Sequence, residues 1–371
     1  MRRQTLALLS STLGTQRALE VFRFGPEGGP RVHIQAALHA DETPAMLVAW
    51  TLKRELEALE QAGRLRAEVV LVPVANPIGL DQHVLGQFVG RFELEHGRNF
   101  NRGFATPRLD LDALAADLGD DGAANLRRLR RALQEALAAQ APRNEYESLQ
   151  HHLYGLALQA DLVLDLHCSL EACLHLYADA GARERIEALA AYLGAEATLL
   201  TGDSGGQSFD EAHSLLWTQL ADAMQARGIA LAPIPVAVTL EHRGQRDVDY
   251  EQSGQDARAI LHYLTHLGWI AGEAPPLPPL PQAPTPLAGS EQFHAPRSGV
   301  LVYRSEVGAR VAAGAPVFDV VDPLSGVCET VCSATAGVLY MRRATRFVRQ
   351  GQPVARVTGA RAQRTGKLIG D

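Results

Sequence analysis

The chain has 371 residues, of which 46% are hydrophobic and 21% charged, and its formal net charge at pH 7 is -7. Such a length suits one large hydrophobic core together with a smaller second domain. The negative charge provides no general attraction to phosphate backbones or to anionic membranes, so we expect neither nucleic acid nor a membrane as a partner. No apolar run approaches the roughly 20 residues of a membrane-spanning helix, and the first segment has too short an apolar core for a signal peptide, which predicts a cytoplasmic protein.

Predicted strands and helices alternate through the first part of the chain. In chain order, the pattern predicts two strands in 18–38, a helix in 43–63, a strand in 67–80, helices in 110–159, a strand in 160–169, a helix in 208–228, a strand in 234–244 and a helix in 256–272. Ser208 and Glu211 have the spacing of a capping box at the start of one helix. Apolar strands that alternate with helices indicate an α/β fold with a largely parallel central sheet.

The composition changes abruptly at residues 274–290, where many prolines predict a stiff linker after a domain of residues 1–273. In residues 291–371, two segments of short strands and glycine turns align with each other, one around Gly299 and one around Gly337, which indicates an internal duplication. This repeat resembles the small all-β barrel of biotinyl and lipoyl carrier domains. The hairpin that carries the modified lysine in those domains has no lysine here, so we expect a structural or homo-oligomerisation role instead.

The four cysteines, Cys168, Cys173, Cys328 and Cys332, form two loose pairs far apart in the sequence. Their spacing matches neither a zinc knuckle nor a dense disulfide framework. We therefore expect reduced and mostly buried thiols.

Titratable side chains follow three of the predicted strands. His39 and Glu42 come after the first, His167 ends the second and Glu241 lies near the end of the third. Alone, a pair such as His39 and Glu42 usually belongs to a solvated helix start, and a histidine such as His167 to a hydrogen-bonded core. The carboxyl ends of parallel strands meet at one edge of a sheet, however, where ligands bind.

Two histidines and one carboxylate are a suitable ligand set for a hydrolytic zinc ion, since they leave a fourth position for water. Asp165 lies close enough to His167 to fix its tautomer. Glu241 is a candidate base for the water, although it also fits an ordinary surface glutamate.

The segment VGRFELEHGRNFNRGF supplies cationic and amide groups in a region with little helical or strand pattern. Guanidinium groups bind carboxylates bidentately, so these residues are candidates for binding an anionic substrate. The alternative is that they are charged loop residues in contact with solvent. They are Arg91, Arg98, Asn99, Asn101 and Arg102.

The motifs HADE, NP, NFNR, DLH and TLEHRG occur in this order between Val32 and Arg246. Together they resemble the succinylglutamate desuccinylase/aspartoacylase family of zinc carboxypeptidase-like enzymes. The resemblance implies a carboxypeptidase-like α/β sandwich around a mixed sheet, with one zinc ion per chain. It also implies deacylation of a small N-acyl amino acid by metal-activated water.

Carried over motif by motif, the resemblance implies that His39, Glu42 and His167 bind zinc. Glu241 becomes the general base that later transfers the proton to the leaving amine.

In the NFNR motif, the resemblance implies that Asn101 and Arg102 hold the carboxylate of the substrate. The arginine that polarises the scissile carbonyl lies between the NP and NR motifs in the family. We choose Arg91 for this role, with Arg98 as the rival.

Two positions depart from the family motifs. Where the family has HGNE this chain has Asp41 before Glu42, and we expect Asp41 to point away from the metal. Where the family has DLNR this chain has Asn99, which removes a charge beside the arginine and puts the substrate preference in doubt.

Three alternatives stay open at this stage. A zinc carboxypeptidase that acts on short peptides would use the same residues. A serine hydrolase is the second alternative, because the string TGDSGGQSF contains Ser204 in GxSxG spacing. A nucleophile elbow requires a helix that begins directly after the serine, whereas here the helix is predicted to begin at Ser208. A binding protein without catalytic activity is the third alternative.

Overall fold

The structure, a computed structural model, describes residues 1–369. Its first fourteen strands are β1 (Arg2–Ala7), β2 (Ala18–Phe24), β3 (Arg31–Ala36), β4 (Glu68–Val72), β5 (His83–Val84), β6 (Gln87–Phe88), β7 (Phe92–Glu93), β8 (Arg98–Asn99), β9 (Leu162–Ser169), β10 (Glu171–Ala172), β11 (His175–Asp179), β12 (Ala197–Thr201), β13 (Val236–Gly244) and β14 (Thr285–Pro286). The α-helices are α1 (Thr43–Gln61), α2 (Pro77–Leu80), α3 (Leu111–Ala116), α4 (Gly122–Ala138), α5 (Glu145–Ala157), α6 (Arg183–Leu193), α7 (Phe209–Gln225) and α8 (Tyr250–His266). The remaining strands are β15 (Glu291–His294), β16 (Gly299–Tyr303), β17 (Arg310–Val311), β18 (Pro316–Val321), β19 (Cys328–Cys332), β20 (Gly337–Arg342), β21 (Phe347–Val348) and β22 (Pro353–Val357).

A nine-stranded mixed sheet forms the centre of the molecule, with the strand order β1-β2-β4-β3-β9-β13-β11-β12-β14. The four adjacent strands β4, β3, β9 and β13 run parallel to one another, and so do β11, β12 and β14. The pairs β1–β2, β2–β4 and β13–β11 are antiparallel. The sheet is therefore mixed and largely parallel. Because β3, β9 and β13 are neighbours and point the same way, their carboxyl ends lie side by side.

Helices cover both faces of the sheet, which explains why its strands are apolar on both sides. Helices α1, α6 and α8 pack against one face in a core that includes Ile34 and Leu164. Helices α4, α5 and α7 pack against the other face around Trp217. Helix α1 illustrates the local cause, since its buried residues Val48, Leu52 and Leu56 recur every four positions on one side.

The carboxyl-terminal strands form two small sheets with their own core, which includes Leu301, Phe318 and Leu339. The aligned glycines of the duplication, Gly299 and Gly337, both begin strands. This region contacts the rest of the chain closely, because β10 pairs with β20. Within the proline-rich segment, β14 pairs with β12 at the edge of the central sheet.

Two local predictions are wrong. Ser208 is the N-cap of α7, but Glu211 does not complete a capping box; its carboxylate accepts the hydroxyl of Ser204 instead, at 2.9 Å. Cys168 and Cys173 are buried free thiols as expected, whereas Cys328 and Cys332 are exposed because they lie on the edge strand β19. Within residues 1–369, none of the helices has the length and apolarity to cross a membrane.

Candidate metal centre

A cavity of about 340 Å³ opens at the carboxyl ends of β3, β9 and β13. Its walls include His39, Glu42, His167 and Glu241, so the three strand ends contribute to one site. Across the sheet, Glu241 is the register partner of His167. The expected edge of the sheet is therefore where these side chains meet.

The carboxylate of Glu42 lies between the two imidazoles. His39 Nδ1 is 2.9 Å from Oε1, and His167 Nδ1 is 2.7 Å from Oε2. Glu42 is the N-cap residue of α1 but makes no capping hydrogen bond, because its side chain turns toward the histidines. All three residues are buried, and their candidate ligand atoms lie within 4.8 Å of one another.

The outer nitrogen of each imidazole faces an oxygen atom of a buried neighbour. His39 Nε2 is 2.8 Å from Asn99 Oδ1, and His167 Nε2 is 2.8 Å from Asp165 Oδ2. If these nitrogens carry the protons, both Nδ1 atoms have a free lone pair that faces Glu42. This buried set of two imidazoles and one carboxylate, each with a fixed orientation, fits a zinc ion.

Asn99 differs in role from the sequence-based interpretation, which linked it to the substrate. It accepts hydrogen bonds from His39 and, at 2.8 Å, from the backbone N–H of Asn101. Asp165 acts on the other histidine and is itself held by Gln35 Nε2 at 3.0 Å. The orientation of the triad thus depends on residues from three separate segments.

Close backbone packing fixes the loop that carries His39. Ala37 has a positive φ of 62°, which is uncommon for a residue with a side chain. Asn76, from the NP motif, donates its amide to Leu38 O at 2.9 Å. A Cβ atom at Gly90 would lie 2.6 Å from Asp41 N, so only glycine permits this approach.

Each charged member of the triad shifts the pKa of the others. The carboxylates of Asp165 and Glu42 outweigh the effect of burial and hold the pKa of His167 well above its usual range. The two histidines in turn hold the pKa of Glu42 well below its usual range against the opposing effect of burial. Burial and the nearby Arg91 lower the pKa of His39 to about 4.

Glu241 stands where β13 becomes irregular. The register with β9 shifts between Glu241 and Gly244, and Arg243 has a positive φ of 66° while its guanidinium binds Asp256 at 2.8 Å. Ser169 Oγ donates to Glu241 Oε2 at 3.3 Å. Desolvation, and next the charge of Glu42, raise the pKa of Glu241 to about 7. A carboxyl group with this pKa can exchange a proton near neutral pH.

The structure separates the two candidate arginines. Arg91 lines the cavity and donates from Nη1 to Glu42 Oε1 at 2.9 Å. Arg98 lies on β8 beside Asn99, and neighbouring strand residues face opposite ways. Its guanidinium is 4.1 Å from the ring centre of Tyr146 and 3.4 Å from the carboxylate of Glu93, in a separate cavity.

Asn101 and Arg102 both reach the cavity that holds the triad. Asn101 Oδ1 accepts the first N–H of α7, from Phe209, at 2.7 Å, and its Nδ2 is 3.5 Å from His167 Nε2. Arg102 lies against the glycine-rich loop, since a Cβ at Gly206 would be 3.4 Å from its Nε. The TGDSGGQSF segment thus packs against a candidate substrate-binding residue.

Asp41 and Ser204 also line the cavity, without joining the triad. Asp41 Oδ2 accepts Gln245 Nε2 at 2.8 Å, and this carboxylate is not part of the metal-binding group. Ser204 donates to Glu211. Within residues 1–369, no imidazole is hydrogen-bonded to Ser204, so the partner that would activate a serine nucleophile is missing.

The wall opposite the sheet was not foreseen from the sequence. It comes from the carboxyl-terminal region and includes Arg342, Arg343 and Arg356, next to Tyr177 of β11. No sequence motif marks these arginines, because only the packing of β20 and β22 against the central sheet brings them to the cavity.

Residues 28–267 match the family model of the succinylglutamate desuccinylase/aspartoacylase catalytic domain. A family protein of this name from Shewanella amazonensis SB2B has a similar structure, with 29% identity, a TM-score of 0.85, and coverage of 96% of this chain and 98% of that chain. One from Shewanella frigidimarina NCIMB 400 is 26% identical with a TM-score of 0.85, over 96% and 97% of the two chains.

The product-bound ectoine utilization protein EutE (DoeB) from Ruegeria pomeroyi has the same fold, with 17% identity and a TM-score of 0.66 over 96% of this chain and 95% of that chain. A comparison with curated protein sequences gave no match.

Proposed function

The chain belongs to the succinylglutamate desuccinylase/aspartoacylase family, and we propose that it is a zinc-dependent deacylase that hydrolyses the amide bond of a small N-acyl amino acid or a related amine. The observation that carries this proposal is the convergence of His39, Glu42 and His167 within 4.8 Å of one another, in a cavity that Glu241 also lines. The ligand set leaves room for water and substrate.

In this proposal His39, Glu42 and His167 hold one zinc ion per chain. When bound, zinc lowers the pKa of a water molecule and polarises a carbonyl oxygen. Glu241 accepts the proton of the attacking water and delivers it to the amine nitrogen as the carbon–nitrogen bond breaks. In the metal-free protein the pKa of Glu241 is about 7, which suits both the acceptance and the delivery of the proton, because a group with this pKa exchanges protons readily in both directions near neutral pH.

The cationic residues bind and orient the substrate. Arg91 lies beside Glu42 and is placed to stabilise negative charge that develops on the carbonyl oxygen. Asn101 and Arg102 hold a carboxylate of the substrate. Arg98 has no role in this scheme, since its guanidinium lies in the other cavity.

Several finer features belong to the same proposal. The catalytic domain covers residues 1–273, the proline-rich segment 274–290 connects it to residues 291–371, and this last region is a barrel like those of biotinyl and lipoyl domains. The catalytic domain has the carboxypeptidase-like arrangement, and the protein acts in the cytoplasm. We further propose that the barrel supports a homo-oligomer in addition to lining the cavity.

The test is a hydrolysis assay on metal-stripped and zinc-reloaded protein. The substrates are N-acetyl, N-succinyl and longer N-acyl amino acids beside short peptides. We expect the zinc-reloaded protein to be active and the metal-stripped protein to be inactive, and we expect N-acyl amino acids to be preferred over short peptides. Activity that persists after complete metal removal would overturn the proposal, and a preference for peptides would identify a carboxypeptidase.

Two variants separate the catalytic roles. Glu241→Gln should bind zinc normally while kcat falls by about 10²- to 10⁴-fold, because the proton acceptor is lost. Ser204→Ala removes the nucleophile of the serine alternative and should leave kcat within about threefold, since the hydroxyl of Ser204 contacts Glu211. Undiminished turnover by Glu241→Gln would refute its role as the base.

A further inference from the structure

A second cavity, of about 490 Å³, borders the NFNR segment. Asn99 and Arg102 line this cavity, whereas Asn101 and Arg102 line the one that holds the triad. The two cavities therefore share a wall, residues 99–102. The second cavity also takes residues from α4 and α5, and we call it the α5 cavity. The proposed function makes no use of it.

Much of the lining of the α5 cavity is apolar. It includes Phe104, Leu137, Pro142 and Tyr154, and the ring centres of Phe104 and Tyr154 lie 6.0 Å apart. A volume of this size, with a mostly apolar lining and a few polar groups, is typical of sites for small organic molecules. A ligand that fills the α5 cavity therefore has an apolar body.

The charged residues of the lining are mostly arginines. They are Arg98, Arg102 and Arg143. Among residues 1–369 the lining contains one carboxylate, Glu147, which is paired with Arg143 at 2.7 Å. Burial lowers the pKa of His151, the imidazole of the lining, so it adds no charge at neutral pH. The balance of three arginines against one glutamate favours an anion.

Arg98 has terminal nitrogens that can bind such an anion. Its side chain is 33% exposed, and its guanidinium carbon is 4.1 Å from the ring centre of Tyr146. Nε lies 3.4 Å from Glu93 Oε2, but within residues 1–369 neither terminal nitrogen makes a hydrogen bond. Asn99 Nδ2 is buried and likewise has no hydrogen-bond partner in this part of the chain. A carboxylate matches the two terminal nitrogens of a guanidinium.

Hydrogen bonds lead from the α5 cavity to the metal centre. Tyr146 Oη donates to Asn99 O at 2.8 Å and lies 3.3 Å from Arg102 O. Gln150 Nε2 donates to the same Arg102 O at 2.9 Å. The side chain of Asn99 contacts the triad, since its Oδ1 is 2.8 Å from His39 Nε2. A ligand that fixes Tyr146 therefore also fixes the residue that contacts His39.

We propose that the α5 cavity is a second ligand site, which binds a small organic carboxylate with an apolar body through Arg98 and acts on the metal centre through Tyr146 and Asn99. The binding does not depend on the proposed function, whereas the effect on zinc rests on it. A bound ligand restricts the motion of Arg98 and Tyr146. The segment that contacts His39 is then already ordered when zinc binds, so the two ligands favour each other.

The first test is calorimetric titration of the metal-free, full-length protein with phenylacetate and with phenylacetamide, which lacks the charge. We expect phenylacetate to bind about 10- to 100-fold more tightly, as a charged hydrogen-bonded pair provides. In Arg98→Met the difference should disappear. Arg108→Met, at an exposed arginine that lines neither cavity, is the matched control and should bind both probes as the wild type does.

Acetate tests the apolar part of the site, because it keeps the carboxylate and lacks the ring. It should bind at least about tenfold more weakly than phenylacetate, since it buries far less apolar surface. Equal binding of phenylacetate and phenylacetamide, or of phenylacetate and acetate, would overturn the inference.

The second test measures the coupling to zinc. Competition with a chromophoric chelator should show zinc binding about fivefold tighter in saturating phenylacetate, and zinc should tighten phenylacetate binding by the same factor. Tyr146→Phe keeps the ring beneath Arg98 but loses the hydroxyl that holds Asn99 O. It should bind phenylacetate within about threefold of the wild type while the coupling disappears.

A carboxylate can also bind a zinc ion directly, and the variants distinguish that case. Phenylacetate bound in the metal cavity would compete with the N-acyl substrate and bind Arg98→Met as tightly as the wild type, which would overturn the inference. Equal coupling in Tyr146→Phe and the wild type would overturn the route through Asn99.

Thermal unfolding separates a lost ligand contact from a damaged fold. Phenylacetate should raise the unfolding midpoint of the wild type but not of Arg98→Met. Arg98→Lys keeps the charge and loses the planar fork, so it should bind phenylacetate about 3- to 10-fold more weakly with an unchanged midpoint in the absence of ligand. Binding by Arg98→Lys that equals the wild type would contradict the role of the fork.

The outcomes also separate this inference from the proposed function. Zinc-dependent hydrolysis without any binding of phenylacetate at Arg98 would refute the second site and leave the deacylase proposal standing. Absence of zinc-dependent hydrolysis, combined with Arg98-dependent binding of phenylacetate, would refute the deacylase proposal and support the second site.

Discussion

Replacing Asn99 by leucine tests how His39 is held for metal binding. Asn99 Oδ1 accepts from His39 Nε2 and from Asn101 N, each at 2.8 Å, and both contacts are buried. Asn99→Leu has a similar volume but no acceptor. It leaves two buried donors unsatisfied, and His39 loses the contact that fixes its tautomer and ring orientation.

The magnitude follows from these two contacts. Each buried donor without a partner costs about 1–3 kcal/mol, so with two such donors the free energy of unfolding of the metal-free protein should fall by about 2–6 kcal/mol. Zinc affinity should fall about 10- to 100-fold, which is the usual effect of removing an outer partner of a metal-ligating histidine. Asn99→Asp keeps the acceptor and adds a charge, so it should bind zinc at least as tightly as the wild type.

The assay is competition for zinc with a chromophoric chelator, beside urea unfolding of the metal-free variants. Gln245→Leu is the matched control, because it removes a hydrogen bond of 2.8 Å to Asp41, which lies in the same loop but is not a candidate ligand. Its zinc affinity should equal that of the wild type. An unchanged affinity in Asn99→Leu would refute the proposed orientation of His39.

Two further predictions concern protons and stability. The carboxylates of Asp165 and Glu42 outweigh the effect of burial and hold the pKa of His167 well above its usual range, which favours its protonated form in the metal-free protein, whereas burial lowers the pKa of His39 to about 4. Zinc binding should therefore release about one proton and weaken about tenfold per unit of falling pH, which calorimetry in two buffers will show; heats that do not depend on the buffer would contradict it. Glu68 is buried and binds the guanidinium of Arg31 at 2.6 Å, so Glu68→Gln should lower the free energy of unfolding by about 1–3 kcal/mol. Glu57 is only partly exposed, and its ion pair with Lys53 lies on the surface of α1. In urea unfolding, Glu57→Gln should therefore change the free energy of unfolding by less than about 0.5 kcal/mol, and equal effects would contradict the role of Glu68.

Local patterns predicted much of the fold. Helix α1 repeats its apolar residues at helical spacing, and β9 is a mostly apolar run interrupted by Asp165 and His167, so both were recognisable without tertiary information. The failures occurred where a side chain had competing partners. Glu211 has the spacing of a capping box, but the backbone and hydroxyl of Ser204 are closer partners in the folded chain.

The candidate site likewise has one part that the sequence predicted and one part that it did not. That His39, Glu42 and His167 converge follows from the rule that parallel strands end at one edge, and their order along the chain was sufficient to expect it. The sequence did not show whether Arg91 or Arg98 lies in the cavity with the triad, because this depends on which side of a two-residue strand faces the cavity.

The sequence by itself determined the alternation of strands and helices, the largely parallel sheet and the residues at its carboxyl edge, because each depends on neighbours within a few positions. Only the tertiary structure decided that Asn99 accepts from the outer nitrogen of His39 and that Arg356 lines the cavity. These contacts join segments far apart in the chain. Their geometry depends on how loops and a second set of sheets pack, which no local pattern encodes.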